Sequence, residues 1–354
     1  MKVATILDEF SESCFSYEFD LIRLRQEDFV EKINKNPDIA FVLIESAWRG
    51  SSKSWCLAST SFKKNPSTLK NFERLVNLCR VKKIPVVFWN KEDPAHFSGF
   101  LQAAKYADHI FTTDVDSKKK YVKPAGHHRV YTLTFAAQPK IHWPQNMDER
   151  LNRPCFAGTY WSKQHKKRAQ DMNHILSPAL KHGLHIYDRN VITGCGERWP
   201  IIYKNNVRGG LPYNQLVNMY RRYKVFMNVN CIVDSLTMFS RRVFELLACG
   251  TPVISSYALG IEKLLPTSVC LSKTHSTTAI FLDKILKDKD FWNVLSFKGM
   301  REVYSKHTYT HRANYLCKAL GLDFDKKARL EVYREISQNT ALTHNDIKQL
   351  IVEA

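Results

Sequence analysis

The chain has 354 residues, 53 Lys and Arg against 34 Asp and Glu, and a formal net charge of +19; at roughly 150 residues per domain, its length makes about two domains. With 44% hydrophobic and 25% charged residues and a mean hydropathy of −0.34, it can build sizeable cores beneath a hydrated surface, which excludes bulk disorder and collagen-like architectures. No run approaches the ~20 apolar residues of a membrane-spanning helix, and Met1-Lys2-Val3-Ala4-Thr5-Ile6-Leu7 runs straight into Asp8-Glu9, so neither a span nor a signal peptide is expected.

The nine cysteines are scattered, without CxxC or zinc spacing, and read as reduced thiols of a cytoplasmic protein. A charge of +19 attracts nucleic acid, anionic headgroups or a phosphorylated substrate. The basic residues do not gather in one tail and no basic-aromatic RNA-binding signature is present, so nucleic acid is not the expected partner.

In chain order, short apolar runs at 3–7, 39–44, 84–89 and 109–112 each stop at a polar residue, and 129–135 adds another. Continuous apolar runs are the pattern of parallel strands buried on both faces. Between them lie helical patterns, the clearest starting at Ser67 as a cap and continuing through Leu69, Phe72, Leu75, Val76 and Cys79. This alternation predicts a doubly wound α/β domain over 1–146, closed by the proline-punctuated stretch 138–146. A second series at 155–158, 184–187, 225–229, 252–255 and 268–271, followed by helical segments to about 320, predicts a second such domain over 147–322. Residues 323–354 read as a helical extension or linker.

Ligands of open parallel sheets bind beyond the carboxyl ends of the strands, so strand-end residues and a cleft between two such domains are the expected site. The most informative stretch begins at Asn230, directly after a strand, and carries Ser235, Thr237, Ser240 and Arg241 into a helix that ends at Gly250. Hydroxyls, an arginine and the unpaired amides of a first helical turn are the means of holding phosphate. On that helix Val243, Phe244, Leu246, Leu247 and Ala248 cover most of the circumference and leave Arg241 and Glu245 on one stripe. Glu245 is therefore a carboxylate on a nearly buried helix, and either an ion pair with Arg241 or two ribose hydroxyls of a nucleotide would account for it.

The run Arg242-Val243-Phe244-Glu245-Leu246-Leu247-Ala248-Cys249-Gly250-Thr251-Pro252-Val253-Ile254 resembles the donor-binding motif of GT-B glycosyltransferases of the group 1 type, in particular the spore-maturation-protein-like branch. Phe88-Trp89-Asn90-Lys91-Glu92-Asp93-Pro94 with His96-Phe97, Phe111-Thr112-Thr113-Asp114, Cys155-Phe156-Ala157-Gly158-Thr159-Tyr160, His185-Ile186-Tyr187-Asp188-Arg189 and Leu211-Pro212-Tyr213 are similar to the same branch, and the resemblance spans about residues 1–320. It implies two Rossmann-like domains facing a central cleft, the second binding a nucleotide-diphosphate sugar and the first lining the acceptor side. Carried over, Glu245 binds the ribose, Ser240 and Arg241 lie near the diphosphate, and Gly158 with Thr159 approach the phosphates and sugar. Thr237 stands where retaining members of the wider superfamily often carry a second glutamate, so that contact is not carried over.

An inverting transfer requires a base, and Asp93 or His96 after the third strand is chemically suited to that role, with Asp93 as a helix cap the structural alternative. Glu45 is a second strand-end carboxylate, suited equally to acceptor binding and to loop packing, and Asp8-Glu9 is comparable. Asp114-Val115-Asp116 spells a DxD triplet but reads as a helix start with carboxylates at its positive end, so no metal is expected. Lys163, Lys166, Lys167 and Arg168 follow Gly158 and could face the diphosphate, while Arg189 and Tyr213 could contact the base.

The sequence thus reads as a cytoplasmic, metal-independent hexosyl- or N-acetylhexosaminyl-transferase of bacterial surface polysaccharide synthesis. Its donor would be a nucleotide-diphosphate sugar, a UDP-sugar first, and its acceptor a glycan or lipid-linked molecule at an anionic membrane. An idle nucleotide- or glycan-binding module and a basic nucleic-acid-binding protein are the alternatives.

Overall fold

The computed structural model describes residues 1–48, 50–160, 166–194 and 198–354. The chain divides into two compact units, Met1–Phe135 with Tyr309–Lys327, and Ala136–Thr308 with Ala328–Ala354. The expected division at 146/147 and 322/323 differs from this one: residues 136–146 fall in the second unit, 309–327 in the first and 328–354 in the second.

The first unit holds strands β1 (Lys2–Ile6), β2 (Asp20–Arg23), β3 (Ile39–Glu45), β4 (Val86–Asn90), β5 (His109–Thr112) and β6 (Val130–Thr132), all parallel, in the order β2-β1-β3-β4-β5-β6. The apolar runs form the central strands, where β3 and β4 are almost wholly buried. β2, which lacks such a run, is the partly exposed edge. The expected Ser67 cap is the second residue of its helix, Pro66–Val81, whose cap is Asn65; the helix opens on Pro66 because proline needs no amide partner at a first helical position. The returning helix Tyr309–Ala319 buries Tyr309, Ala313, Leu316 and Cys317 along one stripe. Tyr309 meets Phe15 edge-on at 4.9 Å, and Arg312 donates to the Thr134 and Phe135 carbonyls at 2.8 and 2.9 Å.

The second unit holds β7 (Leu151–Gly158), β8 (His185–Asp188), β9 (Tyr223–Asn228), β10 (Val253–Ser256) and β11 (Cys270–Ser272), again parallel, in the order β11-β10-β9-β7-β8. The C-terminal helices Lys327–Gln338 and His344–Glu353 bury Tyr333, Ile336, Ile347 and Ile351. Burial pushes the His344 imidazole down to about 4, so it is neutral at pH 7. Ser296 Oγ donates to the Gly250 carbonyl at 2.7 Å and meets His344 Nε2 at 2.8 Å. Gly250, at φ +66°, ends the Glu245 helix, and a Cβ there would lie 2.9 Å from Ser296 Oγ. The C-terminal segment is thus packed against the turn that closes the Glu245 helix. Among the described residues no helix is long and apolar enough to cross a membrane.

Candidate functional site

In the second unit a cavity of about 210 Å³ opens at the carboxyl ends of β7 and β8, lined by Gly158, Tyr187, Arg189, Ile192, Leu211, Pro212, Tyr213, Leu216, and Arg241 with Arg242. The helix Arg242–Ala248 begins beside it, and Glu245 on that helix is fully buried. Arg241 Nη1 reaches Glu245 Oε1 at 2.7 Å, while Glu245 Oε2 is buried with no hydrogen-bond partner among the described residues. One Glu245 oxygen thus forms the ion pair with Arg241, and the other is left without a hydrogen-bond donor among the described residues.

Arg241 also lies 5.0 Å above the Tyr213 ring. The Tyr213 hydroxyl meets His142 Nε2 at 2.8 Å, and the Gln138 amide donates to His142 Nδ1 at 3.0 Å. Because Nδ1 accepts, the ring proton sits on Nε2 and donates to Tyr213. Burial pushes His142 down to about 4 and keeps it neutral. This chain fixes the Tyr213 ring beneath Arg241. Nothing about the proline-rich segment around His142 signals such a role in the sequence.

The remaining donor-side expectations separate into exposed and internal groups. Gly158 and Arg189 line the cavity, and the Arg189 amide donates to the Gly158 carbonyl at 3.2 Å. Thr159 gives its carbonyl to Arg168 Nη1 at 3.0 Å. Asn230 is buried; its Nδ2 donates to Ser255 Oγ and the Ser256 carbonyl, and its Oδ1 accepts the Ser240 amide at 3.1 Å. Ser235 Oγ accepts the Met238 amide at 2.9 Å and the Thr237 amide at 3.3 Å. Asn230 and Ser235 therefore shape the loop that delivers Ser240 and Arg241. Lys166 and Lys167 are exposed, and Lys163 lies outside the described residues.

In the first unit Asp93 is fully buried and accepts from Asn90 Nδ2 at 2.9 Å, Thr112 Oγ1 at 2.6 Å and Tyr121 Oη at 2.8 Å. The helix expected to begin at Asp93 begins at Phe97, with His96 at its cap. Burial pushes the Asp93 carboxyl up to about 6 from 3.8. The folded chain therefore keeps this proton to higher pH than the unfolded chain, and its contribution to stability falls as pH rises through that interval. Asp93→Asn is expected to gain stability relative to wild type between pH 4 and pH 7, by at most about 3 kcal/mol, in urea titrations. A difference independent of pH would contradict this.

Glu45, fully buried, accepts Lys91 Nζ at 2.8 Å, and the same nitrogen lies 2.9 Å from Asp8 Oδ2. The Asp8 amide also donates to Glu45. Burial works against the Lys91 ammonium, but the charges of Glu45 and Asp8 outweigh it and hold its pKa above the usual value. Within the Phe88–Pro94 run the sequence assigns Lys91 no role of its own, although as the residue directly after β4 it meets the strand-end criterion. His96 is exposed beside the Trp48 ring, at 5.3 Å. Asp114 caps its helix by accepting the Ser117 amide and hydroxyl at 3.0 and 2.7 Å. Among the described residues no group of three or more His, Cys, Asp or Glu is placed to hold a metal ion.

Two parallel-sheet α/β units in this order define the GT-B fold of glycosyltransferases. Residues 166–318 match the family model described as glycosyl transferase-like. Among solved structures, an alpha-glucosyltransferase in complex with UDP and a 13-mer DNA containing an HMU base is similar, with 11% identity over 91% of this chain and 99% of that one, at a TM-score of 0.66. The Anabaena protein HepE in complex with UDP and glucose is similar at 10% identity over 90% of this chain and 91% of that one, with a TM-score of 0.55. No curated protein sequence matches the chain. The matched segment contains Arg241, Glu245 and the cavity lining except Ala157 and Gly158.

Proposed function

We propose that the protein transfers a sugar from a nucleotide diphosphate, a UDP-sugar first, to an acceptor of a bacterial surface polysaccharide or glycoconjugate. The observation that carries this reading is Glu245: a buried carboxylate with one oxygen unpartnered, joined through Arg241 to a cavity. The glycosyl transferase-like match and two similar folds that hold UDP support it. In this reading the base enters the cavity beside Tyr187 and Arg189, the diphosphate draws the Arg241 guanidinium, and Glu245 turns its oxygens to the ribose hydroxyls. An acceptor hydroxyl then attacks the anomeric carbon as the bond to the diphosphate breaks, its proton passing to the departing diphosphate or to solvent. Arg241 stabilises the charge that builds on the leaving group. A thermal-shift panel of UDP-, GDP-, CDP- and dTDP-sugars tests the donor assignment, since a ligand of the folded state raises apparent stability by mass action; no shift with any of them would overturn it.

Two further expectations belong to this reading. Turnover is expected to persist in EDTA, because arginines rather than a carboxylate-held cation meet the diphosphate; loss of turnover restored by Mn²⁺ or Mg²⁺ would contradict it. Lys63, Lys64, Lys82, Lys83, Lys119 and Lys120 are exposed on the first unit, so co-sedimentation with anionic vesicles is expected at low salt and release near physiological ionic strength. Protein left in the supernatant at low salt would remove the membrane from the account.

A second reading is a nucleic-acid acceptor, favoured by the net charge of +19 and by the DNA-bound alpha-glucosyltransferases of similar fold. Steeply salt-dependent DNA binding together with sugar transfer to DNA would establish it.

A further inference from the structure

We propose that the amino edge of the first unit's sheet is an anion site: a cavity bounded by Arg80, Lys83 and Arg129 binds the phosphate group of a phosphomonoester. The site lies wholly within the first unit and is independent of the transferase reading.

The place follows from topology. Strands β3 to β6 are parallel neighbours, so the helices between them, Pro66–Val81, Phe97–Ala104 and Lys118–Ala125, all end at the edge where β4, β5 and β6 begin. Each helix end carries roughly half a negative charge. Basic residues follow all three: Lys82-Lys83, Lys105 and His127-His128-Arg129. Helix ends alone account for part of this charge. Arg80, Lys82, Lys83, Lys105 and Arg129 nevertheless outnumber the carboxylates beside them, Asp108 and Glu73, by enough to leave the edge about 1.5 charges positive after the helix ends are counted.

Hydrogen bonds draw these loops to one point. The Tyr106, Ala107 and Asp108 carbonyls accept, in order, Arg80 Nη2 at 3.4 Å, His127 Nε2 at 2.9 Å and Arg129 Nε at 2.7 Å. Asp108 spends a carboxylate oxygen on the Val86 amide, which donates at 2.8 Å. Each guanidinium commits one nitrogen to the loop and keeps its other donors, and both side chains are exposed. Lys83 closes the helix Pro66–Val81 in the left-handed region, at φ +57°, where glycine is usual. A lysine there keeps an exposed cation at the cavity at a conformational cost that glycine would not bear.

Size and lining select the ligand. The cavity measures about 420 Å³, with Ile84, Pro85 and His109 completing its wall. Burial and the Arg129 charge hold the His109 imidazole below its usual range, so at pH 7 the ring is neutral, and its Nδ1 is buried with no hydrogen-bond partner among the described residues. The positive charge therefore belongs to Arg80, Lys83 and Arg129. Two planar guanidinium groups and an ammonium suit the oxygens of a phosphate dianion. The volume exceeds what a phosphate alone fills, and Ile84 and Pro85 offer apolar wall to the organic part of an ester.

The test is phosphorus NMR titration of the full chain with glycerol 3-phosphate, with UDP present throughout to occupy the second unit's cavity; monoester and diphosphate resonances are distinct. Wild type is expected to bind the monoester saturably, with inorganic phosphate competing and glycerol without effect. Arg80→Gln and Arg129→Gln should each weaken binding by about tenfold. Lys83→Gln, which touches none of the three loop carbonyls, should weaken it as well and leave thermal unfolding unchanged. Lys63→Gln removes the same charge just before the start of the helix Pro66–Val81, roughly 24 Å from its end, and should bind as wild type does. No saturable binding by wild type, or an equal loss in Lys63→Gln, overturns the proposal. Phosphatidylcholine vesicles that contain phosphatidic acid or, at equal charge, phosphatidylglycerol distinguish the sources of the phosphate. A preference for phosphatidic acid that Arg129→Gln removes assigns a lipid headgroup, and binding of the soluble ester without that preference assigns a soluble metabolite.

Discussion

Glu245→Ala is expected to lose UDP affinity by about a hundredfold or more in calorimetric titrations, the cost of removing a charged acceptor that takes two hydroxyl hydrogen bonds. The fold should be nearly indifferent to the change. Val243, Phe244, Leu246, Leu247 and Ala248 keep the helix buried, and among the described residues the lost carboxylate is paired with Arg241, which is 32% exposed and can turn to water. A buried carboxylate with one unpartnered oxygen adds little to stability, so its removal should leave thermal unfolding within a few degrees of wild type. Wild-type affinity in this variant would assign Glu245 to the ion pair alone. A large drop in melting temperature would make it a packing residue.

Arg150→Met should be the most destabilising of the substitutions considered, by about 3–5 kcal/mol in urea unfolding. Arg150 is buried, and its guanidinium donates to the carbonyls of Gln145, Tyr220, Tyr223 and Cys249 and to Thr251 Oγ1, with the shortest contacts at 2.6 Å. It also faces the Trp292 ring at 5.2 Å. Burial lowers its pKa to about 9, which still leaves it a cation at pH 7. Methionine fills the volume but removes the guanidinium donor from those acceptors, including the carbonyl that follows the Glu245 helix, while the Tyr220 carbonyl keeps the Thr251 hydroxyl. Arg150→Lys should recover only part of the loss, because an ammonium cannot span four strand and helix ends as a planar fork does. A cost under 1 kcal/mol for Arg150→Met would show that those carbonyls find water.

The elements that were legible in the sequence are those whose signal is local. Both sheets were readable because their central strands are continuous apolar runs, and Arg241 with Glu245 because their spacing places them on one stripe of a helix otherwise apolar. β2 was not, since Asp-Leu-Ile-Arg at a sheet edge carries only two apolar residues. The return of residues 309–327 to the first unit was also hidden. Its stripe of Tyr309, Ala313, Leu316 and Cys317 would serve any partner, and tertiary contacts such as Tyr309 on Phe15 and Arg312 on the Thr134 and Phe135 carbonyls decide which. Asp93 shows the same limit within a site. Asp-Pro reads as a helix start, but Asn90, Thr112 and Tyr121 converge on the carboxylate from separate elements. His142 and Lys91 acquire their roles entirely through such convergence.

The central claim, a nucleotide-diphosphate site built on Glu245 and Arg241, is tested most directly by calorimetric titration of the wild-type chain with UDP. The account predicts saturable one-site binding with a Kd in the micromolar range, on the order of −8 kcal/mol, that persists at moderate salt. Absence of heat with UDP, and equally with GDP, CDP and dTDP, would contradict it.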